Sequence, residues 1–200
     1  MSGYLAQRIT QKLIASGAIA ESESELYTYG FFLLVSHVYL LLVTVISGLL
    51  LGIPGASVLF YVLFALLRGY AGGVHAKTEN ACTVLTTLSV VACLISIKLM
   101  GQIHGQVVPA CMLGIGGAAV FLLSPLYTVA KPLEESERRR YRRISLGILL
   151  GYLLLAFAAW IVTWTNVIYV IACTIFLEGI LLVSGKIFSV AETPVKREDT

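Results

Sequence analysis

The chain has 200 residues, of which 58% are hydrophobic and only 12% are charged. A soluble domain carries about 25% charged residues, so these charges are too few to cover a water-facing surface of this size. The net charge is +3, and five basic residues sit in one run with apolar stretches on either side. This distribution disfavours nucleic-acid binding, and the composition as a whole predicts an integral membrane protein.

The first segment of the chain, residues 4–19, has the pattern of an amphipathic helix. Leu5 and Ile9 recur at helical spacing, whereas Arg8 and Lys12 lie mostly on the other side. This pattern predicts an interfacial helix that lies on the membrane surface. A frayed polar N-terminus is the alternative.

Six longer segments are apolar enough to cross a membrane, which takes about 20 residues of helix. Their backbone groups must form hydrogen bonds within the segment, so each is expected to be an α-helix. The predicted fold class is all-α: a polytopic integral membrane protein with about six transmembrane helices and an N-terminal amphipathic interfacial helix, in a single membrane domain over residues 1–200. The predicted transmembrane helices are residues 30–51, 54–70, 82–101, 107–127, 145–164 and 167–185.

Basic residues predict the orientation of these helices. With six spans, the two termini and the loops after the second and fourth spans lie on one side, and these segments hold nearly all the basic residues. The positive-inside rule assigns that side to the cytoplasm. The expected location is the cell membrane, with both termini in the cytoplasm. The two cytoplasmic loops are residues 68–81 and 128–144.

The four cysteines show no CxxC spacing, so neither a disulfide framework nor a zinc cluster is expected. Cys93, Cys111 and Cys173 are interpreted as small hydrophobic residues within helices. Cys82 differs, because it follows a loop that contains a histidine, a glycine pair and several polar groups.

Some other residues are assigned structural roles. Gly114, Gly116 and Gly117 in the fourth span favour close helix packing over phosphate binding. His37 and His104 have no partners at metal-ligand spacing, so both are expected to be satisfied polar residues. No metal site and no cofactor are expected.

Cys82 and His75 are the residue types of a cysteine nucleophile and its base. The thiolate is the reactive form of cysteine, and a helix N-terminus or a nearby protonated histidine favours it. Thr78 and Asn80 are candidate caps of the third membrane helix, which would place Cys82 in its first turns. Backbone N–H groups there can also stabilise an oxyanion, and His75 would serve as general base and then as acid.

The spacing between the two residues limits their geometry. Seven residues of regular helix would separate them by about 10 Å, whereas a hydrogen bond spans about 3 Å. His75 is therefore expected on a loop that folds back towards Cys82, and Gly72 and Gly73 supply a turn that is either flexible or of positive φ where it is needed. The residue types alone also fit an interfacial loop with a helix-facing cysteine and a solvated histidine.

Two stretches resemble the accessory gene regulator B (AgrB) family of Gram-positive quorum-sensing systems. The first is Arg68-Gly-Tyr-Ala-Gly-Gly-Val-His-Ala76, followed by Cys82. The second is Ser124-Pro-Leu-Tyr-Thr-Val-Ala-Lys-Pro132 with the basic run that follows it, although the acidic residue expected after the first proline is absent. Length, hydropathy and the number of spans also fit, so the resemblance covers most of the chain.

The resemblance implies a membrane cysteine endopeptidase that processes a short precursor peptide, AgrD. It implies that Cys82 attacks the bond after the future signal and that His75 is the general base. A thioester-linked intermediate would form, and a thiol or hydroxyl of the peptide would then close a thiolactone or lactone ring. The resemblance also implies a homodimer. Glu79 and Asn80 are candidates for a third catalytic group, and the supporting positions are Arg68, Gly72, Gly73 and Asn80.

Charged residues elsewhere are candidates for precursor binding. Precursor tails in the family are acidic, so the basic run is a candidate site for the tail, although binding of anionic lipid explains it equally well. A charge within a span costs about 3 kcal/mol, so the glutamate of the last span is a functional candidate that lines a polar cavity, pairs with Lys186 or is protonated. The candidate substrate-binding residues are Lys131, Arg138, Arg139, Arg140 and Glu178.

Two other functions compete with the peptidase. A six-helix exporter of a small peptide would need no chemistry of its own, so it would tolerate Cys82→Ser and be damaged by Glu178→Gln. In a structural or regulatory membrane protein, neither substitution would matter beyond stability.

Overall fold

The structure, a computed structural model, describes residues 2–73, 79–103, 105–126 and 135–191. Within these residues the chain forms seven α-helices, with a short 3-10 turn at Glu21–Glu23. The all-α class and the polytopic membrane character are confirmed. The helices are α1 (Ser2–Ala15), α2 (Ser24–Leu51), α3 (Pro54–Ala71), α4 (Glu79–Ile103), α5 (Val107–Leu123), α6 (Glu135–Ile161) and α7 (Thr165–Ala191).

Five helices of the described chain are long and apolar enough to cross a membrane: α2, α3, α4, α6 and α7. The sixth apolar helix, α5, has 17 residues and is about 26 Å long at 1.5 Å per residue. A hydrocarbon core is about 30 Å thick, and a mismatch of a few ångströms is tolerated by local thinning of the bilayer. Length alone therefore leaves open whether α5 crosses.

A backbone contact indicates that α5 does cross. The N–H of Leu126, just after α5, donates to the carbonyl of Ala71, the last residue of α3, at 2.9 Å. The ends of α3 and α5 therefore lie at the same end of the bundle, which we call the Ala71 end. The chain leaves this end along α4, so α5 must bring it back. A cavity of about 490 Å³ lies at the opposite end of the bundle. It is lined by residues from the turns or helix ends there, including Gly52, Gly101 and Asn166.

The helix at the centre of the bundle is α7, which packs against α3, α4, α5 and α6. Of its apolar segment 72% is buried, compared with 11–33% for the other four long spans. Those four helices expose leucine, isoleucine and phenylalanine side chains on their outer faces, as expected of surfaces that contact lipid. Any polar group in the middle of α7 is therefore enclosed by protein.

The helices α5 and α7 approach each other closely at Gly116. A Cβ added to Gly116 would come within 2.7 Å of the Cα of Phe176 and 2.8 Å of the carbonyl oxygen of Ile175. Such contacts require glycine. The packing role predicted for Gly116 is confirmed.

Glycine and proline set the ends of several helices. Gly52, with φ of 74°, caps α2 and donates to the carbonyls of Gly48 and Leu49, and Pro54 occupies the first turn of α3. The helix α5 ends at Leu123, earlier than the predicted limit of residue 127, because Ser124 is extended before Pro125. The later part of the predicted cytoplasmic loop 128–144 is helical instead, since α6 begins at Glu135.

The N-terminal helix α1 packs along the start of α2. Ala6 and Thr10 are buried in this contact, and the Thr28 hydroxyl donates to that of Thr10 at 3.2 Å. Tyr4 and Leu5 remain exposed. The amphipathic helix is thus present, and small residues provide its contact with α2.

Candidate functional site

The chain makes a tight turn where α3 ends. Gly72 has φ of 79° and Gly73 has φ of 146°, values that L side chains rarely adopt. The positive φ predicted for the glycine pair is confirmed. A Cβ on Gly72 would also collide with the carbonyl oxygen of Leu126, so the turn requires glycine for its space as well as its backbone angles.

Arg68, in the last turn of α3, reaches over this turn. Its Nη1 donates to the carbonyl of Gly72 at 3.0 Å and lies 3.7 Å from the Oε1 of Glu178 on α7. A Cβ on Gly73 would collide with the guanidinium group. The missing side chain at Gly73 is therefore what allows Arg68 to lie against the turn.

Leu126 joins the glycine turn to the segment after α5. Residues 72 and 126 form an isolated parallel β-bridge, in addition to the hydrogen bond between Leu126 and Ala71. The two stretches that carry the family resemblance, one after α3 and one after α5, are therefore in direct contact.

The end of α5 is also fastened to α6. The hydroxyls of Ser124 and Ser145 share a hydrogen bond of 2.5 Å, and both side chains are buried. Nη1 of Arg142 donates to the carbonyl of Ser124 at 3.1 Å, and the Ser145 hydroxyl donates to the carbonyl of Arg142 at 3.1 Å. These bonds satisfy polar groups in an apolar setting and fix the direction in which the chain leaves α5.

Cys82 lies in the first turn of α4, as predicted from the sequence. Cys82 is partly exposed, and the helix α4 that carries it begins at the Ala71 end of the bundle. The position of His75 lies outside the described residues, as does that of the candidate cap Thr78. Glu79 and Asn80 belong to the first turn of α4, but their side chains lie outside the described part of the chain.

Glu178 occupies the middle of α7 and is completely buried. Within the described chain, neither carboxylate oxygen has a hydrogen-bond partner, and the cation beside it is Arg68 rather than Lys186. Sequence reasoning identified Glu178 as unusual because a charge in a span is costly. It did not identify its partner, which lies on a distant helix.

The basic run forms the exposed start of α6. Arg138, Arg139 and Arg140 are all exposed, and Arg139 pairs with Glu135 at 2.7 Å on the helix surface. Lys131 lies outside the described residues. The Tyr70 and Tyr141 rings lie 5.8 Å apart, so the run begins beside the end of α3.

The His37 side chain has a polar neighbour, as predicted: the Tyr61 hydroxyl lies 3.5 Å from its Nδ1 and also donates to the backbone carbonyl of His37 at 3.1 Å. His104 lies outside the described residues, so its predicted role stays a prediction. Cys173 is fully buried, Cys93 is partly buried and Cys111 is exposed on a span. None of the four cysteines, all of them described, forms a disulfide.

Sequence reasoning missed the contacts that hold the site together. Ser145 was not a candidate, Ser124 and Leu126 were noted only within the second family-like stretch, and Arg142 only within the basic run. No local pattern indicated that these residues contact one another or the end of α3. The only available signal was the serine before Pro125, which marks the end of a helix.

The fold and this site define a polytopic, all-helical membrane protein with a cysteine at a helix start and a tight glycine turn of positive φ at one end of its bundle. The family model described as AgrB, accessory gene regulator B, matches residues 6–182. The chain therefore belongs to the AgrB family, as the sequence resemblance predicted.

Two proteins of Clostridium perfringens described as AgrB-like are similar to the chain. The one from strain SM101 / Type A is 26% identical over 157 residues, which cover 74% of this chain and 72% of the relative. The one from strain 13 / Type A, described as AgrB-like protein 2, is 28% identical over 155 residues, which cover 71% and 72%. No solved structure matches the chain significantly.

Proposed function

We propose that the protein is a membrane cysteine endopeptidase that removes the C-terminal tail of an AgrD-like precursor and prepares the remaining peptide for cyclisation. The observation that carries this proposal is the position of Cys82 in the first turn of α4, in a chain of the AgrB family. The positive helix N-terminus favours an anionic thiolate. The tight glycine turn, which ends two residues before His75, supports a loop that folds back to the cysteine.

The proposed reaction has two acyl transfers. The Cys82 thiol gives its proton to His75, and Sγ attacks the carbonyl carbon of the scissile bond. The C–N bond breaks, and the nitrogen of the departing tail takes the proton from His75. A thiol or hydroxyl within the peptide then attacks the thioester carbonyl, which closes the ring and returns the proton to the Cys82 sulfur.

The location at the membrane boundary suits this chemistry. A thioester must last until the internal nucleophile attacks, and limited access of water slows its hydrolysis. Exchange of an amide for a thioester is uphill, so release of the tail has to drive the first transfer. First-turn N–H groups of α4 are the proposed donors to the oxyanion of each tetrahedral intermediate.

The exposed basic start of α6 is the proposed contact for the acidic tail of the precursor. Its three arginines, Arg138–Arg140, lie on the helix that begins beside the end of α3. In the proposed orientation this surface faces the cytoplasm, where the precursor is made. Anionic lipid headgroups would compete for the same charges.

The test uses the full chain, purified and reconstituted in liposomes with a synthetic AgrD-like precursor that has an internal cysteine or serine and an acidic C-terminal tail. Tail release is followed by mass spectrometry. Cys82→Ala and His75→Ala are expected to abolish release while the protein still inserts and elutes as a single species. Cys111→Ala is the matched control, because Cys111 is exposed on a different helix, and it should retain full release.

Two results would contradict the proposal. One is tail release by Cys82→Ala at the parent rate. The other is export of the uncleaved precursor by both the parent protein and Cys82→Ser, which is what the exporter hypothesis predicts.

A further inference from the structure

A buried carboxylate in the centre of a membrane bundle needs a compensating interaction. Glu178 is 0% exposed. Moving an ion out of water into a protein costs on the order of several kcal/mol, even after the protein relaxes around it. Neither of its oxygens has a hydrogen-bond partner in the described chain. Its near neighbour is the Arg68 guanidinium, at 3.7 Å, so the charge is compensated across the interface between α7 and α3.

The same nitrogen of Arg68 has a second contact. Nη1 donates to the carbonyl of Gly72 at 3.0 Å, and the absence of a side chain at Gly73 leaves room for it. A chain of contacts therefore runs from Glu178 through Arg68 to the glycine turn. Its far end lies on the backbone two residues before the segment that carries His75.

The two ends of this series of contacts, Glu178 and the glycine turn, differ in rigidity. Glu178 lies on the most enclosed helix of the bundle, so its position is set by packing on several sides. The Arg68 side chain is long and 22% exposed, so it has more rotamers available than the enclosed carboxylate. Attraction to the fixed carboxylate favours the rotamer that contacts Gly72.

We propose that Glu178 is a positioning residue: it holds Arg68 against the Gly72 carbonyl and so fixes the turn that delivers His75 to Cys82. The inference rests on the proposed function, since it assigns Glu178 a part in the same site. Direct contact between Glu178 and the precursor is disfavoured, because the carboxylate is inaccessible from the surface.

The variants for the test are Glu178→Gln, Arg68→Gln and the double variant. Glu178→Gln keeps the size of the side chain and removes its charge. A displacement of about 1 Å at a reacting group costs about 100-fold in rate, so kcat for tail release should fall about 100-fold while KM for the precursor stays unchanged. The matched control is Thr174→Val, which removes a buried polar group one turn earlier on α7 whose hydrogen bond is local, and it should retain the parent kcat.

The double variant separates positioning from general destabilisation. If Glu178 acts through Arg68, the double variant loses no more activity than Arg68→Gln, whereas independent effects would multiply. The double variant also removes both charges, so it avoids the unpaired buried carboxylate that Arg68→Gln would leave at Glu178 and that could prevent that variant from folding. The comparison between Glu178→Gln and the double variant remains available in that case, and the positioning role predicts equal activity for those two variants.

The outcomes distinguish this inference from the proposed function. His75→Ala and Cys82→Ala are assayed alongside, and retained tail release in either one overturns the proposed function. If both lose activity but Glu178→Gln keeps its kcat, raises only KM, or adds a further loss on top of Arg68→Gln, the positioning role is overturned and the peptidase stands.

Discussion

Position 72 requires glycine for two reasons, its backbone conformation and the space around it. Its φ of 79° is unfavourable for any residue with a side chain, and its missing Cβ allows the Leu126 carbonyl to approach. A Gly72→Ala substitution should therefore move the turn away from Leu126. We expect about a 100-fold loss of tail release and a loss of about 1–3 kcal/mol in stability.

Gly69→Ala is the matched control for Gly72→Ala. Gly69 lies in the last turn of α3, and a Cβ there would meet nothing within 4 Å. Alanine favours a helix by about 1 kcal/mol over glycine, so the control should be neutral or slightly stabilising. Thermal unfolding in detergent and tail release in liposomes are the two measurements, and equal behaviour of the two variants would contradict the assigned role of Gly72.

The residue scale is also where the sequence was least informative. The positive φ of the glycine pair and the place of Cys82 at a helix start followed from local patterns. The partnership of Arg68 with Glu178 did not, because 110 positions separate the two residues and nothing local to either one specifies the other. The contact of Gly72 with Leu126 is of the same kind, since it depends on how two distant chain segments meet.

At the scale of elements, the contact between α5 and α7 depends on Gly116. A methyl group there would overlap the backbone of α7 at Phe176, and overpacking of a filled interface costs about 1–3 kcal/mol. Gly116→Ala should therefore lower the thermal midpoint of the solubilised protein. Because α7 carries Glu178, the same variant should also reduce tail release.

Gly117→Ala provides the control on the same helix. Gly117 is buried, but a Cβ at that position would meet nothing within 4 Å. It should unfold at or above the parent temperature and keep its activity. A larger loss of stability in Gly117→Ala than in Gly116→Ala would rule out the close contact between α5 and α7.

Helix existence was predictable from the sequence, and helix ends less so. Long apolar segments dictate helices in a membrane because backbone groups have no other partners. The end of α5 at Leu123 depends on Ser124 and Pro125, whose effect was overlooked because the residues after them are also apolar. The start of α6 at Glu135 was missed because a charged segment gives no hydropathy signal even when it is helical.

At the scale of the whole molecule, the account requires the ends of α3 and α5 to lie on one side of the membrane. We propose that this side is cytoplasmic, because it carries the basic run. Cysteine labelling tests it in a variant without native cysteines. Gln106→Cys at the opposite end should react with a membrane-impermeant maleimide in intact cells, and Ser136→Cys at the start of α6 should react only after permeabilisation.

The labelling also decides between five and six spans. If α5 did not cross, residue 136 would lie on the other side from the segment after α3, and Ser136→Cys would react in intact cells if that segment is cytoplasmic. That result would be incompatible with the hydrogen bond between Leu126 and Ala71. If neither Gln106→Cys nor Ser136→Cys reacted, the reagent would not be reaching these sites. A second pair of cysteine variants is therefore included at the exposed positions Val107 and Glu137.

The proposed function requires Cys82 to form a covalent bond with the precursor. The most direct measurement is the mass of the reconstituted protein after incubation with a precursor whose ring-forming cysteine or serine is replaced by alanine. Cyclisation is then blocked, so the thioester should accumulate, and peptide mapping should find the N-terminal part of the precursor on Cys82. Release of the tail with no adduct on Cys82, or an equal adduct in Cys82→Ala, would contradict the account.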